Sequence, residues 1–212
     1  MTTIRQATEK DITEIADIHM KAFPGFFLTM MGKKFLKELY RDFIVEKEGT
    51  CIVAEEQKQV VGFAAGTMTP ESFFTRLRKR RWHVMFLRSF HGIFRRPLKV
   101  TRMLFNALFY KGDPPPKHGE AALLSSIAVD PDFSGKGTGK LLLDAFCEIV
   151  RNADICYVYL LTDQEDNERT RRFYEEYGFE LESTMMKPGK RLMNRYLLRL
   201  TEDRSSQESP QE

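Results

Sequence analysis

Three glycines and two lysines are packed into residues 133–141, FSGKGTGKL, between an apolar run ending SSIAVDP and another beginning LLLDAF. Glycine admits backbone conformations that turn successive N–H groups toward one point, and a helix starting directly behind adds the positive end of its dipole. Gly135, Gly137 and Gly139 therefore suit an anion such as a pyrophosphate held without a metal, with Lys136 and Lys140 adding charge at the same mouth. Two other phosphate motifs do not fit. A P-loop needs glycine where Ser134 stands and a hydroxyl where Leu141 stands. A dinucleotide fingerprint needs its third glycine at Lys140, and too little chain follows residue 130 for a doubly wound nucleotide domain.

The loop must be held by the elements around it. TTIRQA reads as a short strand, Thr8 to Asp11 as a helix start, and Ile12, Ile15, Ala16, Ile18 and His19 as one face of a helix that Pro24 and Gly25 end. A second helix is expected from about Gly32 to Glu46, with Phe35, Leu36, Leu39, Tyr40 and Phe43 on its buried stripe. TCIVAEE and VVGFAAGTM, separated by Gln57-Lys58, read as a hairpin. Strand and helix then alternate: AALLSSIAV, the glycine loop, GKLLLDAFCEIVRNA, ICYVYLLT, and NERTRRFYEEYGF ending at Gly178. FELESTMM and RLMNRYLLRL, joined by a Lys-Pro-Gly-Lys turn, close the chain as an antiparallel pair.

The bulk composition narrows the class. With 212 residues, 42% hydrophobic and 30% charged, one domain over residues 1–200 with a full core is expected, followed by a disordered tail at 201–212. No apolar run reaches the roughly 18 to 20 residues of a membrane span, and MTTIRQATEKD lacks a signal peptide's apolar stretch, so a cytoplasmic location is expected. Cys51, Cys147 and Cys156 show no ligand-like spacing and read as buried thiols; His19, His83, His91 and His118 are scattered, and no metal site is expected. The net charge of +3 hides a segregation: Ser72 to Gly112 holds eleven lysines and arginines and no acidic residue, leaving 22 basic against 30 acidic residues elsewhere. This segment, within a helical insertion at about 70–118 divided at Pro97, alone makes the chain basic.

Asn167, Thr170, Phe173, Tyr174, Gly178 and Phe179 add a second motif in register with the loop. Together the two resemble the GCN5-related N-acetyltransferase (GNAT) superfamily, whose members carry Arg/Gln-x-x-Gly-x-Gly/Ala after a strand and Asn-x-x-Ala-x-x-Phe/Leu-Tyr-x-x-x-Gly-Phe on a helix. The resemblance covers nearly the whole chain outside about 70–118. It implies a mixed α/β fold with a central, mostly antiparallel, twisted sheet of about seven strands flanked by helices. It also implies acetyl-coenzyme A as cosubstrate, in a V-shaped gap between the fourth and fifth strands. Main chain at Ile127, Ala128 and Val129 would then meet the pantetheine arm, one N–H there polarising the thioester carbonyl. Ser134, Gly135, Lys136, Gly137, Thr138, Gly139 and Lys140 would meet the phosphates. Asn167 and Phe173 fall at cofactor positions, and Tyr174 falls where the family protonates the departing thiolate. Ser134 and Thr170 depart from the family's Arg/Gln and Ala.

The implied reaction is transfer of an acetyl group to a primary amine by direct attack in a ternary complex. The amine's proton must leave to a side chain or a water chain. The inner fourth strand offers only Leu123, Ser125 and Ser126, while Glu120, His118 and Asp163 stand at ends, so the base stays unassigned. The acceptor is expected to be a small-molecule amine, including a nucleotide-linked amino sugar. The basic insertion keeps three readings: helices packed on the domain, a site for a phosphorylated ligand, or docking on anionic lipid, which would make the protein an acyltransferase peripheral to the membrane. Nucleic acid ranks below these. A coenzyme A sensor or scaffold without turnover, and a homodimer, also stay open.

Overall fold

The computed structural model describes residues 1–77, 79, 120–165, 167–187 and 191–200. Its helices form where apolar residues recur at three- and four-residue spacing. α1 (Ile12–Ala22) buries Ile12, Ile15, Ala16, Ile18 and His19. Just ahead of it the Asp11 carboxylate accepts from the Thr8 N–H at 2.7 Å and the Thr8 hydroxyl at 2.9 Å, a capping box that fixes the entry of the chain. Arg5 grips the same carboxylate and Glu55 at 2.8 Å each, and this Arg5 contact leads the effects that hold Asp11 at about 2. α2 (Phe27–Met31) is a short helix between the two that the apolar spacing predicts. α3 (Lys33–Val45) buries the expected stripe of Phe35, Leu36, Leu39, Tyr40 and Phe43.

The strands are β1 (Thr3–Gln6), β2 (Gly49–Glu56), β3 (Gln59–Thr67), β4 (Ala122–Val129), β5 (Tyr157–Asp163), β6 (Glu180–Lys187) and β7 (Arg191–Arg199). They form one seven-stranded sheet in the order β1-β2-β3-β4-β5-β7-β6. Every neighbouring pair is antiparallel except β4 with β5. The mostly antiparallel seven-stranded sheet expected from the sequence is the one observed. The β2–β3 hairpin turns on Gln57 and Lys58, both at positive φ (51° and 67°), in a position where asparagine and glycine are usual.

Two helical layers cover the sheet. α1 and α3 pack over Val53, Val60, Phe63, Ala65 and Ala128. α4 (Thr138–Arg151) and α5 (Glu168–Tyr177) cover the other face, where Leu142, Leu143, Phe146 and Tyr174 meet Ala64, Leu124, Val158 and Leu160. Along β3, Phe63 and Ala65 face one layer and Ala64 the other, as period-two geometry requires. Both faces of this strand are covered, which is why it reads as an unbroken apolar run.

The insertion begins as a helix: residues 70–77 are helical, and Phe73 stacks on Phe43 with ring centroids 4.7 Å apart. Apart from residue 79, the rest of the insertion lies outside the described residues, as do the Lys-Pro-Gly-Lys turn beyond Lys187 and the tail at 201–212. Cys51 and Cys147 are buried as expected, but Cys156 is exposed: it precedes β5, where the chain has left the core. No described helix is long and apolar enough to cross a membrane.

Candidate functional site

Between β4 and β5 the sheet is open. Only Ala122 pairs with Val158 and Leu123 with Tyr159; beyond these the two parallel strands share no ladder. The cause lies in β4's other edge. Its register with β3 slips between Ala65 and Gly66, so that Ser126 faces Ala65, Leu124 faces Gly66 and Ser125 is the extra residue of a β-bulge. A bulge bends its strand and sharpens the local twist, which here carries the second half of β4 away from β5.

The backbone donors that this leaves can be assigned from the ladder. Asp130 N–H donates to Val61 carbonyl at 2.8 Å, and the alternation of antiparallel pairs then turns Ala128 toward β3 and the N–H groups of Val129 and Ile127 into the gap. Ala128, grouped with these two in the sequence reading, is thus corrected. Its main chain is spent on β3 and its side chain is buried in the α1/α3 layer.

The glycine loop follows at the open end of β4. Asp130 is buried; its carboxylate accepts from Lys21 of α1 at 2.8 Å and from Asp132 N–H at 3.1 Å. Desolvation works to raise its pKa, yet these bonds leave it below the usual carboxylate range. Gly135 (φ 84°) and Gly137 (φ 82°, ψ 0°) are left-handed, and an added Cβ at either would meet nothing within 4 Å. Conformation, not space, demands glycine there. Gly137 is the N-cap of the fourteen-residue α4, whose first N–H groups point back at the loop. Thr138, the first residue of α4, is 2% exposed, and its hydroxyl has no hydrogen-bond partner.

The side chains of Ser134 and Lys136 are engaged elsewhere. Ser134 Oγ donates to Pro131 carbonyl at 2.9 Å, closing its own turn rather than facing the mouth. Lys136 Nζ lies 3.6 Å from Glu56 and 5.3 Å from the Phe133 ring centroid, on the β2 side. Lys140 is exposed. Gly139 lies inside the helix, where an added Cβ would stand 3.6 Å from Phe173. Phe173 thereby seats α5 on α4.

α5 supplies the remaining motif residues. Asn167 is its N-cap by position, and its carbonyl accepts from Arg171 N–H at 3.0 Å. Its side chain does not cap; Nδ2 donates to Thr162 Oγ1 at 2.5 Å and to Asp163 carbonyl at 3.3 Å, which ties α5 to the end of β5. Tyr174 is 7% exposed and packs against Phe173, Phe179 and Tyr196. Tyr196 is the strand partner of Leu160, the first β5 residue past the last β4–β5 pair, so Tyr174 sits by the fork of the gap. Burial pushes its phenol up, and it stays protonated at neutral pH.

Comparison with known proteins agrees with this geometry. The model of the acetyltransferase (GNAT) family matches residues 106–179, a span holding β4, the glycine loop, α4, β5 and α5. The solved structure of Ard1 from Thermoplasma volcanium shares the fold at 19% identity, with a TM-score of 0.62 over 95% of this chain and 99% of that one. Residues 106–179 thus match the GNAT acetyltransferase family, and the fold as a whole is shared with the solved structure. A GNAT-fold neighbour, PaiA N-acetyltransferase from Thermoplasma acidophilum, was solved in complex with coenzyme A; it aligns at 13% identity and a TM-score of 0.55 over 92% of this chain and 98% of that one. Among curated relatives, glucosamine 6-phosphate N-acetyltransferase of Trypanosoma brucei brucei is 34% identical over 64 residues, which is 30% of this chain and 41% of that protein. An uncharacterised N-acetyltransferase of Methanocaldococcus jannaschii is 24% identical over 194 residues, 91% of this chain and 66% of that one. The match thus spans less than two thirds of either relative's length.

Beside the end of β5 lies a pocket whose residues carry no sequence motif. A pocket of about 330 Å³ is lined by Phe26, Asp163, Glu165, Asn167, Arg191 and Leu192, which joins the α1–α2 connection to the ends of β5 and β7. In it Arg191 forks onto both oxygens of Asp163 and lies over the Phe26 ring, 5.2 Å from its centroid. Asp163 is therefore committed to an ion pair. Glu120 is exposed at the closed end of the gap, before the first β4–β5 pair, and His118 lies outside the described residues. Arg191 stands 28 positions from Asp163 in the chain, and only the β5–β7 register, Asp163 opposite Met193, brings them together.

Proposed function

We propose that this chain is an acetyl-coenzyme A-dependent N-acetyltransferase that transfers acetyl to a primary amine of a small molecule. The observation that carries the reading is the continuity of the β4–β5 gap with the glycine loop. Unpaired N–H groups of Ile127 and Val129 line the strand, and the left-handed Gly135 and Gly137 with the α4 N-terminus close its end. These residues fit the cosubstrate: a buried Thr138 hydroxyl without a partner, beside a positive helix end, is what an incoming pyrophosphate would satisfy. Bound acetyl-coenzyme A supplies the activated acyl group as a thioester.

The protein's own part is to orient and to move one proton. Gap-facing N–H groups on β4 suit the carbonyl oxygen where negative charge builds during attack. Tyr174, neutral and at the fork, holds the proton that the leaving thiolate needs; a thiolate leaves readily, so loss of the phenol slows turnover without abolishing it. Asn167 braces the far wall through Thr162 and Asp163. The pocket at Phe26, Asp163 and Arg191 is the acceptor side of this reading.

The trypanosomal relative is named for an amino-sugar phosphate, which makes glucosamine 6-phosphate and a nucleotide-linked amino sugar the first acceptors to try. The test is thiol release from acetyl-coenzyme A against a panel of primary amines. Amine-dependent release, reduced in Tyr174→Phe by about 10²-fold or more as for a lost general acid, supports the reading. Tight acetyl-coenzyme A binding with no release on any amine defeats it in favour of a sensor or scaffold.

A further inference from the structure

The pocket beyond the end of β5 faces β4 across the open gap. Leu123 and Tyr159 form the last pair of these parallel strands, and Ile127 and Asp163 each lie four residues further on. Asp163 therefore stands about level with the gap-facing N–H of Ile127. By period-two alternation it shares a face with Tyr159, while Leu160 takes the other face under α4 and α5. The pocket opens on the α1/α3 side, with Phe26 in its wall, and Tyr174 packs on the opposite side of the sheet.

Which of its polar groups are spent follows from their partners. Asp163 and Arg191 hold each other through two hydrogen bonds, from Nε and Nη2, so their charges cancel. Arg191 Nη1 stays available, but on a guanidinium already neutralised. Asn167 donates through Nδ2 to Asp163 carbonyl, an oxygen that can only accept, so the end of its amide left over is Oδ1. Glu165 is exposed and has no ion pair or hydrogen bond among the described residues. Its neighbour Gln164 donates its N–H to Leu192 carbonyl at 3.1 Å, which continues the β5–β7 ladder and fixes the chain that carries Glu165. Lys187, the strand partner of Arg191, is not part of the lining. The described lining thus sets two carboxylates against one guanidinium, and what it still offers is the Glu165 carboxylate and an amide oxygen.

We propose that the acceptor is a cationic amine that carries no phosphate or carboxylate, its positive charge recognised by Glu165 and the Asn167 amide oxygen. This rests on the transferase reading above and names its substrate class. An ammonium brings three N–H donors and a positive charge, which match two acceptors and one uncompensated carboxylate. A phosphate brings neither. It would have to draw Arg191 away from Asp163, leaving that carboxylate unpaired, and it would face Glu165 as well. The volume of about 330 Å³ equals roughly eleven waters at about 30 Å³ each, room for a monosaccharide or a short diamine.

The test is a matched pair, glucosamine and glucosamine 6-phosphate, which present the same primary amine without and with a phosphate, alongside 1,5-diaminopentane. With acetyl-coenzyme A as donor and thiol release as readout, wild type should favour glucosamine over its phosphate by about two- to fivefold in kcat/KM, the size of one exposed charge pair. The diamine should exceed the phosphate likewise. Where neither sugar is turned over, the two are compared as inhibitors of the fastest amine in the panel, with the same ratio expected between their inhibition constants. Glu165→Gln should remove the preference and Glu165→Lys should reverse it, each with the acetyl-coenzyme A KM within twofold of wild type. A wild type that does not favour glucosamine by either measure, or a ratio unchanged in Glu165→Lys, overturns the proposal, while amine-dependent release leaves the transferase reading standing. A wild type that binds acetyl-coenzyme A but releases thiol with no amine overturns both.

Discussion

The three glycines of the loop are not equivalent, and their differences can be measured. Gly135 and Gly137 have φ of 84° and 82°, while Gly139 is not among the positive-φ residues. Alanine at either of the first two meets no atom within 4 Å, so its cost is the left-handed backbone alone, about 1–2 kcal/mol. That cost can appear in two places. If the loop keeps its shape, the melting temperature falls by about 2–4 °C per kcal/mol. If the loop relaxes, stability is kept and the cradle is populated only part of the time, which weakens acetyl-coenzyme A binding by about tenfold per 1.4 kcal/mol. Gly137→Ala should therefore show the two losses summing to about 1–2 kcal/mol, and Gly137→Asn less, since asparagine tolerates the left-handed region. Gly139→Ala gains helix propensity, up to about 1 kcal/mol, and its methyl sits in ordinary contact with Phe173 at 3.6 Å. Thermal unfolding with isothermal titration of acetyl-coenzyme A reads both terms. Wild-type stability and affinity in Gly137→Ala, or an equal loss of stability in Gly139→Ala, would refute the reasoning.

Other perturbations follow from the same structure. A Cβ on Gly66 would stand 2.2 Å from Leu123 carbonyl and 2.6 Å from the Phe146 ring, opposite the bulge; Gly66→Ala should cost about 3 kcal/mol or more in urea unfolding, and a near-neutral result would show that the β3–β4 register can slide. Asp11, held at about 2 chiefly by Arg5, has a folded pKa below its unfolded value, so its contribution is complete above about pH 4 and lost as pH falls through about 2. Asp11→Asn should flatten the urea midpoint against pH in that window, and curves parallel to wild type would exclude the assignment. Cys156 should react with a thiol reagent in the native state while Cys51 and Cys147, buried and pushed up by desolvation, wait for unfolding; three equally fast thiols would contradict the packing.

Much of the fold is legible in the sequence because its signals are local. The stripe Phe35, Leu36, Leu39, Tyr40, Phe43 repeats at helical spacing and is buried on α3, and the alternation after residue 120 yields β4, α4, β5 and α5 in order. The glycine loop is legible for the same reason: its φ values are a property of three or four consecutive residues. Ala128 was misjudged because the direction of an N–H depends on ladder phase, and that phase is set by a bulge at Ser125 which no residue type announces. Cys156 was misjudged because an apolar neighbourhood in sequence does not say where a strand begins.

The two halves of the site differ in legibility for a physical reason. The half toward the glycine loop is built from main chain, so it depends on strand ends, glycines and a helix start, all of which are written contiguously. The pocket beyond the end of β5 is built from side chains that meet only in the fold, Phe26 and Asp163 with Arg191, and the buried pair of His19 and Tyr40 likewise meets only there. In the sequence His19 and Tyr40 are indistinguishable from core residues on an apolar face. Only their mutual distance, 2.6 Å between the phenol oxygen and Nδ1, separates a hydrogen-bonded pair from two packed rings. Specificity that depends on such side chains rests on a few long-range contacts, which no local pattern in the sequence records.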